Sequence, residues 1–331
     1  MSRRRMLANL ATRSGVLRAI EAMPTRDGVL IVNHHRVGDK NACVYDRGVF
    51  AASTELFAEQ VAYIKRNHPT ILPRELAEMW ASGKRLRRMH AMITFDDGYA
   101  DNYEVAFPIL KNHGVSAVFF LITSYVGTPA TSWWDEIAYL VRMTNKDTLV
   151  FHAPVEVTLP LHDRDAAIKQ VLGLYKSPQN QEPEAFLARL REQTEVTLPS
   201  GPRNFMGWEQ AAEMAANGME IGSHTHTHRI LSKLSPNEQF QELTTSKRVL
   251  EEHLGSEVVS LAYPRGKRDA FDRTTEEMAR RAGYKIAFSF DGGVNGPSKA
   301  HSMFDVKRIE PRSESAMFRL EVAMLSRGIA I

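Results

Sequence analysis

The sequence contains one cysteine, Cys43, among its 331 residues. A single thiol excludes an internal disulfide and a zinc site built from cysteines. No apolar run reaches the length of a membrane span, and the basic N-terminus lacks the apolar core of a secretory signal. The formal net charge is only +3, which argues against a nucleic-acid partner. We therefore expect a cytoplasmic protein that binds no nucleic acid.

Residues 1–27 are predicted to form an amphipathic segment ahead of the main domain. Apolar side chains at positions 7, 10, 16, 17 and 20 could line one face of a helix, and arginines stand between them. Packing of this face on the domain is the first interpretation. The second is a peripheral position on the inner membrane, bound through the apolar face and the arginines.

From residue 28 onward, short apolar runs alternate with helical patterns. Predicted strands lie at 29–32, 91–95, 115–122, 219–223, 258–262, 285–290 and 304–309. Helices are predicted between most of them, among others at 54–65, 104–112 and 274–282. This order predicts an α/β domain with parallel strands and right-handed crossovers. The pattern breaks at about 128–205, so residues 28–331 are expected to be one domain with a partly helical insertion.

Two clusters of polar residues follow predicted strands. Asp96 and Asp97 lie within Thr-Phe-Asp-Asp-Gly at 94–98, and residues 223–228 read Ser-His-Thr-His-Thr-His. Burying two neighbouring carboxylates as anions is costly unless a cation neutralises them. Active sites of parallel α/β folds gather at the carboxyl ends of strands, so the two clusters are expected to meet there. The sequence thus predicts a site for a divalent metal.

Asp97, His224 and His228 are the predicted metal ligands. The two histidines lie four residues apart, so a helical turn would bring both rings to one ion. One carboxylate and two imidazoles leave positions open for water and substrate, which suits a catalytic Zn²⁺. Asp96 is then free to take a proton from the attacking water, with capping of the turn as the alternative. His226 is expected to point away.

Together these motifs resemble those of the NodB-homology polysaccharide deacetylases, carbohydrate esterase family 4. The resemblance rests on Thr-Phe-Asp-Asp-Gly, on His-Thr-x-x-His at 224–228 and on Tyr-Pro-x-Gly at 263–266, and it covers roughly residues 28–125 and 205–312. It implies a distorted (β/α)7 barrel that removes N-acetyl, sometimes O-acetyl, groups from glycans. It also implies Asp96 as general base and Asp97, His224 and His228 as metal ligands.

The catalytic acid departs from the common pattern of that family. Many members carry it in a late Leu-x-His motif, which is missing here. Members similar to poly-N-acetylglucosamine deacetylases carry an early Tyr-His-x-Val run instead, and residues 34–37 read His-His-Arg-Val. The resemblance therefore predicts that His35 protonates the leaving sugar amine. A structural histidine is the alternative, and His34 is the reserve candidate.

A second departure is Ala262, at the position where members often carry an arginine that orients the base. Arg308 or Arg265 is expected to supply this cation, and the backbone N–H of Arg265 to help hold the oxyanion. Three further side chains are assigned to oxyanion or substrate binding: Tyr263, Trp134 and Asp291. For Trp134 a place in the core is the first interpretation and sugar stacking the second, and for Asp291 a turn comes ahead of a contact with a sugar hydroxyl.

The sequence therefore predicts a metal-dependent hydrolase that removes N-acetyl groups from amino sugars of a surface glycan or its precursor. A lipid-linked or nucleotide-linked sugar is the alternative substrate. A non-catalytic carbohydrate-binding protein on the same fold is the alternative from another class. Pure binding would not require a base beside the ligand, so an intact Asp96 favours the enzyme.

Overall fold

The computed structural model describes residues 3–177, 179–180, 182–199, 204–297 and 302–330. Within them the strands are β1 Gly28–His34, β2 Arg36–Val37, β3 Phe50–Ala52, β4 Met89–Phe95, β5 Val118–Leu121, β6 Thr148–Phe151, β7 Val157–Pro160, β8 Glu220–Ser223, β9 Ser260–Ala262 and β10 Ile286–Phe288. The helices are α1 Arg3–Arg13, α2 Val16–Ala22, α3 Thr54–Asn67, α4 Pro73–Ala81, α5 Phe107–His113, α6 Trp133–Met143, α7 Arg164–Lys176, α8 Pro183–Thr194, α9 Trp208–Ala216, α10 Pro236–Leu254, α11 Arg273–Arg281 and α12 Ser315–Leu325.

Six strands form one parallel sheet in the order β1-β4-β5-β8-β9-β10. Strands β1 and β4 pair in register from Gly28 opposite Met89 to His34 opposite Phe95. Every residue of β1 is buried, as expected for a strand that is covered on both faces. The parallel order confirms the α/β prediction, because parallel neighbours require a crossover connection.

The segment 306–309 closes this sheet towards a barrel. Val306 forms a parallel bridge with β10, and Ile309 forms one with β1. Between them the Asn295 side chain accepts a hydrogen bond from the Lys307 backbone N–H at 2.9 Å and donates one to its carbonyl at 2.9 Å. Because a side chain takes these backbone bonds, the segment makes single bridges and no regular strand. The predicted strand at 304–309 is thus irregular, and the barrel is distorted.

Alternate residues of the strands belong to two buried clusters. On one face, Val29 and Ile31 join a cluster that includes Trp80 of α4. On the other face, Leu30 and Phe95 join the cluster that packs against α3, α5 and the later helices. This alternation follows from the two-residue period of a strand. The polar side chains of the candidate site lie beyond it, at the strand ends.

Two compact units divide the chain. The first comprises Met1–Gly38, Phe50–Thr128 and Phe205–Ile331, and holds the barrel. The second comprises Asp39–Val49 and Pro129–Asn204, with the antiparallel hairpin β6–β7 and helices α6, α7 and α8. The predicted insertion at about 128–205 overlaps the later part of the second unit, whereas nothing in the sequence indicated that residues 39–49 belong to it.

A buried carboxylate explains why those early residues join the second unit. Asp135 is fully buried on α6 and accepts hydrogen bonds from the Asp46 backbone N–H at 3.1 Å and from Asn204 Nδ2 at 2.6 Å. Leaving this carboxylate unpaired would be costly, so it holds both ends of the second unit together.

The predicted amphipathic segment forms two helices, α1 and α2, separated by Gly15. Both helices pack on α12, and their buried contacts include Ala8 and Leu17, each 1% exposed. Among the described residues, no helix is both long enough and apolar enough to cross a membrane.

Candidate active site

Asp96 and Asp97 follow directly after β4, and both are 3% exposed. Adjacent residues on a strand point to opposite faces, but Asp97 adopts a left-handed backbone with φ 76° and breaks this alternation. Gly98 continues the turn at φ 83°, where a Cβ would lie only 2.8 Å from the Leu121 side chain. Only glycine fits there, and the turn directs both carboxylates towards the strand end.

His224 and His228 lie on the turn that follows β8. Thr225 and His228 also have positive φ values, 66° and 60°, which are uncommon for residues with a Cβ. The nearly buried Glu242 carboxylate of α10 accepts the backbone N–H groups of residues 226 and 227 at 3.1 and 2.8 Å. This carboxylate supports the strained turn, as is common at functional sites.

The turns bring together one carboxylate oxygen and two imidazole nitrogens. Asp97 Oδ1 lies 3.5 Å from His224 Nε2 and 3.6 Å from His228 Nε2, and the ligand atoms of the three residues lie within 4.8 Å of one another. Ligand atoms bound to one ion at about 2.1 Å would be roughly 3.0–3.4 Å apart. The observed separations are somewhat longer, so small rotations of the three side chains would let them share one divalent metal ion, and no second such group occurs in the described residues.

The orientation of His224 supports this fit. Its Nδ1 lies 2.8 Å from the Ala262 carbonyl oxygen. A carbonyl only accepts, so Nδ1–H donates and the lone pair of the ring is left at Nε2, which faces Asp97. Burial lowers the pKa of His224 to about 4, so the ring is neutral near pH 7, the form that binds a metal.

Asp96 is held by a buried guanidinium. Arg308 Nη1 and Nη2 donate to its two carboxylate oxygens at 2.7 and 2.9 Å. Burial alone would raise the pKa of Asp96, but the charge and hydrogen bonds of Arg308, together with the nearby His224 and His35, outweigh burial and hold this pKa below its usual range. Arg265 instead pairs with Asp269 at 3.0 Å and is 39% exposed. Of the two arginines expected to supply the cation beside the base, Arg308 occupies that place.

Asn33, at the end of β1, completes the surroundings of Asp96. Its Nδ2 donates to Asp96 Oδ2 at 3.0 Å, while its Oδ1 accepts from Arg308 at 2.7 Å and from Thr94 at 2.6 Å. All four residues are buried, so the carboxylate has a fixed orientation. Sequence reasoning missed Asn33, although its position at a strand end, directly before two histidines, was a usable signal.

His34 and His35 differ in their surroundings. His34 is fully buried, stacks on Phe95 at 5.1 Å and shares a hydrogen bond of 3.1 Å with Gln60. Burial lowers the pKa of His34 to about 4, so it holds no transferable proton near pH 7. His35 is only partly buried and close enough for its charge to lower the pKa of Asp96. The geometry thus favours His35 as the proton donor.

The backbone around His35 is held by two residues that sequence reasoning did not single out. Asn102 Nδ2 donates to the His35 carbonyl oxygen at 2.7 Å. Asp101 accepts from the Val37 backbone N–H at 3.3 Å and pairs with Arg36 at 2.6 Å. These contacts connect the turn after the Asp-Asp-Gly motif with the turn after β1, and they fix where His35 stands.

Asn102→Ala is expected to slow turnover by about fivefold, because a lost hydrogen bond of this kind is worth roughly 1 kcal/mol of positioning. Metal content should not change. Steady-state kinetics and metal analysis of the purified variant test this. Asn67→Ala is the matched control, since Asn67 Nδ2 also donates to a backbone carbonyl, that of Tyr63 at 2.8 Å, but at the end of α3. Equal rates for the two variants would contradict a positioning role.

Tyr263 and Arg265 lie in the turn after β9. The Tyr263 side chain is fully buried, and its hydroxyl donates to the Phe304 carbonyl at 3.0 Å, which indicates a role in packing. Arg265 has a left-handed backbone with φ 64° and lies in a tight turn in which the Gly266 N–H donates to the Pro264 carbonyl at 2.7 Å. The Gly266 carbonyl in turn accepts from the Phe290 N–H at 2.7 Å, which ties this turn to the segment after β10. This conformation sets the direction of the Arg265 backbone N–H, the group that the sequence analysis assigned to the oxyanion.

The remaining predicted residues lie in structural surroundings. Trp134 is 5% exposed in the second unit and packs edge-on against Trp133 at 5.1 Å, which favours the core alternative. Asp291 stands in a bend and pairs with Arg268 at 2.6 Å, as expected for a turn residue. His226 bonds to Thr123 at 2.9 Å and lies outside the metal group.

Comparisons with known proteins agree on one family. The family model described as polysaccharide deacetylase matches residues 83–287. The Bacillus subtilis protein YxkH is 21% identical over 279 residues, which cover 84% of this chain and 70% of that protein. The poly-β-1,6-N-acetyl-D-glucosamine N-deacetylase of Escherichia coli K12 is 31% identical over 105 residues, 31% of this chain but only 15% of that enzyme.

Solved structures share the fold. IcaB from Ammonifex degensii superposes with a TM-score of 0.58 at 21% sequence identity, over 90% of this chain and 98% of that chain. At this identity the likeness establishes the barrel architecture alone.

Proposed function

Because the chain belongs to the polysaccharide deacetylase family, we propose that it is a metal-dependent hydrolase that removes acetyl groups from N-acetylated amino sugars of a glycan or glycan precursor. The observation that carries the proposal is that a group able to bind a metal ion and an oriented carboxylate lie together at the carboxyl end of the parallel strands. Asp97, His224 and His228 can share an ion, and Asp96 beside them is held as an oriented carboxylate by Arg308.

Zn²⁺ is the metal that we propose for Asp97, His224 and His228, since it takes nitrogen and oxygen ligands and leaves sites open in enzymes. When bound, such an ion polarises an amide carbonyl and makes water more acidic. The chain's own part is to present a neutral His224, its Nε2 free for the ion, and a buried carboxylate that balances the charge.

Asp96 is proposed as the general base. It takes a proton from the water whose oxygen attacks the acetamide carbon, and Arg308 keeps the carboxylate pointed at the site. The backbone N–H of Arg265 is proposed to donate to the oxygen that becomes negative. His35 then gives its proton to the departing nitrogen as the C–N bond breaks. The products are acetate and a free amino sugar, with no covalent intermediate.

The substrate class is proposed from the relatives. Three relatives are named poly-β-1,6-N-acetyl-D-glucosamine N-deacetylases, and each matches 31% of this chain. We propose an N-acetylglucosamine-containing glycan or its precursor as the substrate, with lipid-linked and nucleotide-linked N-acetylglucosamine as the alternatives within the same chemistry. Surface or exopolysaccharide assembly is the process in which we place the reaction.

Acetate release provides the test. Purified protein is incubated with β-1,6-linked N-acetylglucosamine oligomers and, separately, with lipid-linked and nucleotide-linked N-acetylglucosamine. We expect acetate from one of these classes, loss of activity with a chelator and recovery on addition of Zn²⁺. Absence of acetate from all of them with Zn²⁺-loaded protein would overturn the enzyme proposal in favour of carbohydrate binding alone.

Replacement of His35 by Gln is expected to lower turnover by at least about 10²-fold, the usual contribution of a general acid. The loss should be smaller on an acetate ester with a good leaving group, which needs no proton. His34→Gln is the matched control, because the His34 side chain lies next to His35 but is buried and neutral near pH 7. Any loss of rate in this variant should be the same for the activated ester as for the amide. An unchanged rate for His35→Gln would reject the assignment.

A further inference from the structure

Exposed apolar side chains are concentrated at the N-terminus. Among the described residues, the large hydrophobic side chains that are exposed include Met6, Leu7 and Leu10 on α1, at 57%, 59% and 61%, followed by Val16 at 50% and Met23 at 48%. These five are called the N-terminal patch. Only four others in the described chain are comparably exposed, and they lie between residues 44 and 155. The patch is thus an unusual local exposure of apolar surface.

On α1, the side chains of the patch face away from the surface that the helix buries. Successive helical residues are rotated by about 100°, so Met6, Leu10 and Leu7 fall within an arc of roughly 100°. Ala8, which is 1% exposed, lies on the opposite side of the same helix. In α2 the same division separates exposed Val16 from Leu17, which is 1% exposed. Packing on α12 therefore leaves the patch uncovered.

Positive charge surrounds the patch. Residues 1–20 contain five arginines and no acidic residue, and one of these arginines, Arg5, pairs with Glu314 at 2.9 Å. The Arg13 and Arg18 side chains are exposed. The first acidic side chain of the segment, Glu21, is engaged by Arg319 at 3.0 Å, so it does not neutralise the arginines nearby.

We propose that the N-terminal patch docks this protein on an anionic phospholipid surface. Apolar side chains of an interfacial helix enter the boundary between headgroups and acyl chains, while arginines bind lipid phosphates. The charge complementarity selects this occupant over a second copy of the chain, because two copies would bring their arginines face to face. The proposal does not depend on which sugar the enzyme deacetylates.

Vesicle co-sedimentation tests the proposal. The full chain is mixed with vesicles of phosphatidylcholine alone and with vesicles that contain about one third phosphatidylglycerol. We expect binding to the anionic vesicles that is at least about tenfold tighter than to the neutral ones. Leu7→Glu with Leu10→Glu should lower binding to anionic vesicles by about tenfold or more, and Arg13→Glu with Arg18→Glu should do so as well.

Val44→Glu with Val155→Glu is the matched control, since these residues are exposed at 39% and 52% but lie outside the patch. This control variant should bind vesicles as the parent does, and every variant should keep its circular dichroism spectrum and its acetate release from a soluble substrate. Unchanged vesicle binding by Leu7→Glu with Leu10→Glu would overturn the proposal. So would a parent protein that ignores vesicles but forms a dimer that this variant abolishes.

Discussion

Asp96→Asn is expected to lower turnover by about 10⁴-fold while the protein keeps its metal. The amide side chain has the size of the carboxylate but cannot take a proton from water, and a positioned base contributes up to about that factor. Asp96 is not a member of the group formed by Asp97, His224 and His228, so metal binding should persist. Acetate release and metal content per chain, measured on the same preparation, test both halves.

Asp97→Asn is the matched control, because the same chemical change is made one residue further along the chain. Asp97 Oδ1 lies 3.5 and 3.6 Å from the two imidazole nitrogens, so this variant should lose metal affinity and, with it, activity. Since Asp96→Asn leaves Arg308 without its carboxylate, circular dichroism must first establish that the variant is folded. Loss of metal by Asp96→Asn with retention by Asp97→Asn would reverse the two assignments.

Arg308→Met is expected to destabilise the fold by about 3–5 kcal/mol. The side chain is 1% exposed, and removing one partner of a buried ion pair leaves the other charge uncompensated. Methionine fills much of the same volume, so the loss reports mainly on the charge. Urea unfolding with a chelator present, which removes any contribution from metal, gives the free energy of unfolding of both proteins.

The pH dependence of that loss distinguishes a charge effect from a packing effect. In the parent, the pKa of Asp96 is below the unfolded value of 3.8, so Asp96 stabilises the fold above about pH 4, and this contribution is lost as the pH falls further. Without Arg308, burial raises this pKa above the unfolded value. The variant should then regain stability as the pH falls from 7 to 5, because Asp96 takes up a proton. If the difference in free energy of unfolding between the parent and Arg308→Met does not narrow as the pH falls, the loss comes from packing.

Arg312→Met provides the matched control for Arg308→Met. Arg312 also forms a two-point ion pair, with Glu321 at 2.7 and 2.6 Å, but its side chain is 35% exposed. Exposed pairs contribute about 0–1 kcal/mol, so this variant should unfold close to the parent at every pH. If the two variants lose similar free energy of unfolding, burial does not make the Arg308–Asp96 pair more important for stability than an exposed pair.

The metal group could be predicted because its signal is local. Two carboxylates side by side after an apolar strand are hard to explain without a cation, and the two histidines four residues apart could be assigned to the same ion. Family membership, which the match over residues 83–287 establishes, confirms the predicted resemblance. The role of Asp96 followed from the residues and from the resemblance, and that of His35 from the resemblance alone; both stay predictions until the variants are measured.

The supporting groups could not be predicted, because each contact joins residues that are far apart in the chain. Arg308 is 212 residues from Asp96, and the sequence left two arginines open for its role. Asn102 reaches the His35 carbonyl across 67 residues. Tyr263 and Trp134 were assigned to substrate contact from their residue type, but the structure buries both side chains in packing.

By itself, the sequence determined which residues can bind an ion and the order of strands and helices that places them at one edge of a parallel sheet. Those properties follow from residue type, hydrophobic period and spacing, which are local quantities. Only the tertiary structure decided which arginine faces Asp96, which histidine of the adjacent pair stays partly exposed, and which early segment joins the second unit. These depend on long-range register and on the burial of charge, since a carboxylate or guanidinium inside the barrel must find its partner wherever the fold brings one.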